Sequence, residues 1–246
     1  MITKENEVVH GVVLKSTPYK ESDAILSVYT KEYGKLSILA KGIHKMKSKN
    51  ASACSSLTLS EFTIIVKKGL CTLIKGSYQN YYRHIKEDIE LEAYASYFIE
   101  FVYKYCEEND PDTYIYDTLI QFLDALNVGY PPVLLYLLFN SFILKETGSP
   151  LYVDSCSYCE DTSHIVGISY SGGGFVCSNH IGEYDQSYDK ETLKAFRHIN
   201  KFTIQNIDAI NIPEAMMKEL RGIMDNFVEE YTGILFQSKK FLKQFF

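Results

Sequence analysis

The sequence predicts an α+β multidomain chain: an N-terminal β-barrel of the OB type, then an all-α helical domain that carries an inserted zinc-knuckle hairpin. Three observations predict it. Residues 1–80 read as short β-branched and apolar runs between turn signals. From about residue 85 the apolar period becomes helical. Within the helical half, Cys156-x2-Cys159-x17-Cys177-x2-His180 sets two knuckles at metal-ligand spacing. The expected domains are therefore 1–80, an OB-fold nucleic-acid-binding domain, and 81–246, a helical domain with the metal insertion at about 152–184.

Each element has its own signal. Val8–Leu14 and Ala24–Thr30 are β-branched runs, and a turn at Tyr33-Gly34-Lys35 leads into Leu36–Ala40. Leu57–Val66 and, past Lys67-Lys68-Gly69, Leu70–Lys75 complete five strands. Five strands with open edges would be a poor sheet, and closure into a small Greek-key barrel removes the edges. Ile85, Ile89, Leu91, Tyr94, Ala95, Phe98, Ile99, Val102 and Tyr103 then mark one helical face. Pro111 starts a second helix that stops near Gly129, and Pro131-Pro132 opens a third that ends at Thr147-Gly148-Ser149-Pro150. Beyond the metal segment, helices are expected at about 190–199, 213–231 and 239–245. The Met216, Met217, Ile223, Met224 and Phe227 stripe reads as core.

The metal motif is the most specific chemical signal. A tetrahedral Zn²⁺ takes four N or S ligands, and an x2 spacing lets one tight turn supply two of them. The second pair follows the glycine-rich turn Ser171-Gly172-Gly173-Gly174 and a short apolar run, which suits a hairpin with one ligand pair on each side. Cys156, Cys159, Cys177 and His180 would fill all four positions, so one structural zinc per chain is expected and no open position remains for substrate. A redox dithiol at Cys156 and Cys159 is the competing reading, but no βαβ pattern surrounds it. His164 is an alternative fourth ligand, without a partner at ligand spacing.

Charge divides the chain. Residues 1–80 hold 12 Lys, no Arg and 6 acidic residues, a net +6, while residues 81–246 hold 13 Lys/Arg against 25 Asp/Glu, a net −12. A polyanion partner would therefore meet the front of the chain. There the loop 41–49 concentrates Lys41, Lys45, Lys47 and Lys49, with Lys35, Lys67 and Lys68 on other turns as an extension. Flexible cations of this kind track a phosphate backbone and release its counterions. Tyr19, Tyr29 and Tyr33 would offer a stacking surface for bases. The competing reading is a merely solvated lysine-rich loop.

Enzyme motifs are missing: no G-x-S-x-G, no Walker-type loop, and no G-x-G-x-x-G opening a helix. A zinc deaminase would need H-x-E, yet the six histidines are followed at the second position by Val12, Met46, Lys86, Val166, Gly182 and Asn200. No catalytic residue is expected. The polar N-terminus carries no signal-peptide core, the longest apolar run, Val133–Phe139, is too short to span a bilayer, and Cys54, Cys71 and Cys106 read as reduced thiols. A cytoplasmic protein without a membrane partner is expected.

Gly11-Val12-Val13-Leu14, Tyr19-x-Glu21-Ser22-Asp23, Tyr29-Thr30-x3-Gly34-Lys35, Lys41-Gly42-x2-Lys45-x-Lys47-Ser48, Lys68-Gly69-Leu70 and Gly172-Gly173-Gly174-Phe175-Val176-Cys177 together give the chain a resemblance to the RecO family of bacterial recombination mediators. The motifs bracket most of the chain; the helical middle matches only in character. The resemblance implies an OB domain, a helical domain and a small metal site. It also implies a nucleoid-associated role in binding single- and double-stranded DNA, annealing complementary strands, and helping RecA load onto DNA covered by single-strand-binding protein, together with RecR. Two departures stand out. The usual fourth metal ligand is Cys where this chain has His180, and the basic loop is all lysine where arginines are common, so its contacts are point charges rather than forks. The alternative is another OB and zinc protein that binds RNA or acts in transcription.

The acidic half reads as the protein-docking half. Near its end, Lys239, Lys240 and Lys243 lie beside Phe241, Leu242, Phe245 and Phe246. That border of cations and apolar residues suits the acidic, hydrophobic-ended tail that the resemblance supplies in single-strand-binding protein. The alternative is that these aromatics pack into the helical core.

Overall fold

Five strands close into a barrel in the order β1-β2-β3-β5-β4: β1 (Lys4–Tyr19), β2 (Asp23–Thr30), β3 (Gly34–Ala40), β4 (Leu59–Val66) and β5 (Leu70–Asn80). All neighbours are antiparallel except β3 and β5, which run parallel. This is the Greek-key barrel of the OB type expected from the sequence. The computed structural model describes residues 4–245.

β1 makes closure possible. Its first part pairs with β4, from Lys4↔Val66 to Val12↔Leu59, and its second part pairs with β2, from Gly11↔Thr30 to Tyr19↔Asp23. An irregularity between Val13 and Lys15 bends the strand between the two partners. Inward residues alternate along β2 and β3, so Ala24, Leu26, Val28, Leu36, Ile38 and Ala40 fill the interior with Val9, Val13, Phe62 and Ile64. β1 and β5 run longer than their apolar runs predict. The additional residues Ser16–Tyr19 and Ser77–Asn80 face largely outward, so their ladder bonds leave no hydrophobic alternation to read.

Helices begin at α1 (Arg83–Glu87) and α2 (Ile89–Tyr105), which the sequence reads as one. Asp88 separates them: its backbone is extended, and its carboxylate accepts from the amides of Glu90 and Leu91. Asp112, rather than Pro111, caps α3 (Thr113–Val128) in the same way, and Gly129 ends it in the left-handed conformation. α4 (Pro132–Glu146) buries every residue from Leu134 to Leu144, so it lacks a polar face and reads as a core helix. No helix among the described residues is long and apolar enough to cross a membrane. α5 (Lys190–Lys201), α6 (Glu214–Thr232) and α7 (Ser238–Leu242) follow a three-stranded sheet, described with the metal centre below.

The strand-to-helix switch comes after Asn80, yet packing divides the chain elsewhere. One unit runs to Gly129 and includes the stretch from Phe236 onward; the other is Tyr130–Leu235. The reason is α2, whose buried face packs on α1, α3, α7 and also on β1 and β2. Four helices, α1–α3 and α7, therefore belong to the barrel's unit instead of joining α4–α6. In the second unit α4 packs on α5 and α6.

Gly34 shows why a glycine opens β3. Its φ is +67°, and a Cβ there would lie 2.3 Å from the carbonyl oxygen of Asp110. That segment lies along β3, bridging Lys35 to Glu108, with the Asn109 amide donating to Lys35 O at 3.1 Å.

The C-terminal helix is held to the first unit by Glu100. Its carboxylate accepts from the Gln237 amide (2.8 Å), the Ser238 amide (2.8 Å) and Ser238 Oγ (2.6 Å), and pairs with Lys104 Nζ at 2.8 Å. Burial opposes its charge, but Lys104 and these donors outweigh it and hold its pKa below the ordinary glutamate value. Glu100→Gln is expected to cost about 1–3 kcal/mol of unfolding free energy at neutral pH, from weakened charged hydrogen bonds. Because the folded-state pKa is depressed, the charge contributes fully above about pH 4.3 and its contribution fades as pH falls through the lower folded value. Thermal melts of the two proteins should converge in acid; equal melting temperatures at pH 7 would remove Glu100 from this role.

Candidate metal centre and nucleic-acid interface

Three short strands, β6 (Ile165–Ser169), β7 (Gly174–Cys177) and β8 (Gln186–Ser187), form a sheet in the order β7-β6-β8. The first knuckle is folded by its own backbone: the Cys156 amide donates to Asp161 O (2.8 Å) and the Glu160 amide to Cys156 O (3.0 Å). The Ser157 amide donates to Phe175 O (2.9 Å), which fastens this knuckle to β7. The second knuckle leaves β7, where the His180 and Ile181 amides both donate to Cys177 O at 3.0 Å. Gly174 brings the strands together. A Cβ on it would stand 2.1 Å from Tyr152 O, the atom that accepts from the Phe175 amide at 2.8 Å.

The ligand atoms of Cys156, Cys159, Cys177 and His180 all lie within 4.8 Å of one another. Cys159 Sγ and Cys177 Sγ are 3.7 Å apart, and His180 Nδ1 is 3.3 Å from Cys177 Sγ and 4.0 Å from Cys156 Sγ. A zinc tetrahedron with bonds of about 2.3 Å to sulfur has S···S edges of about 3.8 Å, whereas a disulfide would need about 2.05 Å. All the cysteines are free thiols. The donor set and its spacing therefore fit zinc. His164 is outside the cluster, its Nδ1 held by Asp161 Oδ2 at 3.0 Å.

Electrostatics favour thiolate at one ligand. Burial works against ionisation of Cys156, but the amides of Tyr158, Cys177 and Cys159 converge on its sulfur and bring its pKa down to about 6. The Asp161 amide acts the same way on Cys159, where burial and the neighbouring sulfurs prevail and the shift is upward. The apolar core of this module consists of Cys156, Val176 and Cys177, with Ile165 and Ile181 packed on it. Two of its three fully buried residues are thus candidate ligands.

The lysines expected to meet a polyanion divide into three groups. Lys41, Lys45, Lys47 and Lys49 are all exposed on the connection between β3 and β4, together with Met46 at full exposure. That connection folds over one end of the barrel: Ile43, Ala53 and Cys54 enter the core, the Gly42 amide donates to Asp23 Oδ1 (2.8 Å) and the His44 amide to Ser22 O (3.0 Å). The β1–β2 turn with exposed Tyr19 and Lys20 is thereby tied to the basic loop. Lys67 and Lys68 are exposed on the β4–β5 turn, at the opposite end of β4 from the loop. Lys35 is engaged: its Nζ donates to Tyr103 O at 2.8 Å and stands 5.3 Å from the centre of that ring.

Of the three tyrosines expected to stack, only Tyr19 is open. Tyr29 is fully buried with its hydroxyl donating to Asp112 O at 3.3 Å, and Tyr33 donates to Glu7 Oε2 at 2.9 Å. Strand alternation gives no warning of Tyr29: it falls on the outward set with Ile25 and Ser27, yet it is buried where its hydroxyl meets Asp112, far along the chain. Two exposed rings that no sequence pattern sets apart, Tyr78 and Tyr81, close the end of β5.

The second unit, residues 130–235, carries 7 Lys/Arg against 14 Asp/Glu, a net −7. Within it a cleft of about 500 Å³ is lined by apolar Val153, Ile165 and Leu193 beside Lys190, Lys194 and Arg197. The C-terminal cluster lies in the other unit. There α7 packs on α2, Leu242 is buried, and Phe241 meets Phe245 edge to face at 5.5 Å; Phe246 falls outside the described residues.

Two family models match the chain: the one described as Recombination protein O N terminal over residues 6–82, and the one described as Recombination protein O C terminal over residues 86–240. Among curated relatives, a DNA repair protein RecO of Bacillus mycoides (strain KBAB4) is 31% identical over 238 residues, 96% of each chain. Another, from Bacillus cereus (strain AH187), is 32% identical over 238 residues, again 96% of each chain.

Proposed function

This chain belongs to the RecO family of DNA repair proteins, and from that premise we propose that it is a DNA-handling mediator rather than an enzyme. It binds single- and double-stranded DNA, anneals complementary strands, and works with RecR to load RecA onto DNA covered by single-strand-binding protein. The carrying observation is the exposed four-lysine loop across one end of the closed barrel. Annealing makes and breaks no covalent bond. It needs cations that screen the repulsion between two backbones while the base edges stay free to pair. Lysines suit this: each is a point charge on a flexible stem, without the fixed fork that would read a base.

One structural zinc per chain, held by Cys156, Cys159, Cys177 and His180, completes the reading. When bound, it supplies folding energy to a module whose own core is very small. The residues do the rest: the converging amides keep Cys156 ionised, and the Cys177 turn aims His180 Nδ1 at the sulfurs. The second unit is the docking half. Its basic-edged apolar cleft has the chemistry to take the acidic, hydrophobic-ended tail of single-strand-binding protein.

Metal analysis of purified protein is expected to find one zinc per chain, and Cys177→Ala to lose the metal together with stability of the 152–184 segment. A zinc-free protein, with the variant as stable as wild type, would refute the site. Replacing Lys41, Lys45, Lys47 and Lys49 by Ala should weaken single-strand binding and flatten log K against log salt by about 0.7 for each phosphate no longer neutralised. The same variant should slow annealing of strands coated with single-strand-binding protein; unchanged affinity and slope would exclude the loop. In a titration with a labelled tail peptide, Lys190→Glu with Lys194→Glu should reduce affinity at least tenfold, and undiminished binding would move the tail elsewhere.

A further inference from the structure

The end of β5 carries an arrangement that the lysine loop does not explain. Tyr78 and Tyr81 expose 54% and 36% of their surface, and their rings meet edge to face with centres 5.9 Å apart. Large aromatics at a strand end normally turn inward. These two instead close the strand among the polar neighbours Ser77, Gln79 and Asn80. Lys86 holds the inner ring, with its Nζ 3.7 Å from the centre of Tyr81. The same ammonium donates to Thr58 Oγ1 (2.6 Å) and Ser55 Oγ (3.3 Å), on the final stretch of the β3–β4 connection. Burial disfavours the charged form of Lys86 and brings its pKa down to about 8, against the pull of Glu92.

The other stretch of that connection meets β5 just before the outer ring. The Gly76 amide donates to Asn50 Oδ1 at 3.1 Å, which places Asn50, the residue after Lys49, beside the strand two residues before Tyr78. A Cβ at Gly76 would meet Ala53 Cβ at 3.0 Å, so loop and strand are in direct packing there. The connection that carries the lysines is thus tied to the chain on both sides of the aromatic pair. Exposed Lys75 and Arg83 flank the pair, and Glu87 is paired with Arg83 at 3.2 Å.

We propose that Tyr78 is a base-stacking platform for single-stranded nucleic acid, propped by Tyr81 and Lys86 and fed by the strand that Lys49 holds. This rests on the nucleic-acid reading of the lysine loop and deepens it. The loop supplies charge, which a backbone of any base composition satisfies, while the ring supplies a π-face that only an unpaired base can cover. A duplex, whose bases are stacked on one another, has nothing to offer it. Single strands are therefore bound in preference by this surface, and a base leaves the ring when it pairs with its complement.

The test uses the full-length protein, a (dT) oligonucleotide and an abasic oligonucleotide of the same length, titrated at several salt concentrations. Tyr78→Ala is expected to lose about five- to a hundredfold in affinity for (dT), the range for one stacked base. It should lose nothing on the abasic strand and keep the wild-type slope of log K against log salt, since no counterion is involved. Tyr78→Phe should bind like wild type, because the ring and not the hydroxyl carries the stacking. Equal losses on both oligonucleotides, or none on either, would overturn the platform while leaving the lysine loop standing. A wild-type protein that bound neither oligonucleotide would overturn the nucleic-acid reading itself, and the platform with it.

Discussion

The barrel depends on one strand pairing on both of its edges. β1 hands its ladder from β4 to β2 around Gly11 and Val12, and without that overlap the five strands would be an open sheet with two unpaired edges. Gly11 sits at the crossing, where a Cβ would come within 2.5 Å of Val28 Cγ1. The β3–β4 connection uses the same strand: the Leu57 amide donates to Val13 O at 2.9 Å and the Val13 amide to Thr58 O at 3.0 Å. A loop anchored at its far end to the strand that closes the barrel, and with Ile43, Ala53 and Cys54 in the core, has a defined surface on which four lysines stay in solvent. The charge is displayed because the apolar residues of the same loop are buried.

The metal-ligand module solves the opposite problem. Three strands of five, four and two residues are too little sheet to be stable alone, and the buried apolar cluster beneath them is three residues. The sulfurs of Cys156 and Cys177, candidate ligands, are core atoms there as well. The backbone, however, is already committed to ligand geometry: a bare Cα at Gly174 admits Tyr152, and amide donors close both knuckles. The donor atoms are consequently brought together by hydrogen bonds and glycine sterics, and a bound cation would lock what the backbone arranges.

Much of this was legible along the chain, for identifiable reasons. Period-2 alternation located β2 and β3 to within two residues because each has one face in the core. The ligand set was legible because two x2 spacings and an intervening glycine turn are local properties. Element ends were less so. Asp88 splits one apolar helical face into α1 and α2, and that is visible only once its carboxylate is seen to cap a new helix. Tyr29, Tyr33 and Lys35 carry the right chemistry for a nucleic-acid face, yet each is taken up by a partner 26 or more residues away in sequence. Nothing in the local pattern distinguishes them from Tyr19, Tyr78 or Lys45, which stand exposed.

The sequence by itself determined the barrel class, the helical second half, the ligand quartet and the basic loop, because all four follow from composition and spacing read over a few residues at a time. Tertiary structure alone decided which aromatic rings are free, which cations are committed, and that α1–α3 and α7 join the barrel's unit instead of α4–α6. These depend on what a helix face such as that of α2 finds to pack against, and burial of that face against β1 and β2 is a long-range contact that no local periodicity encodes.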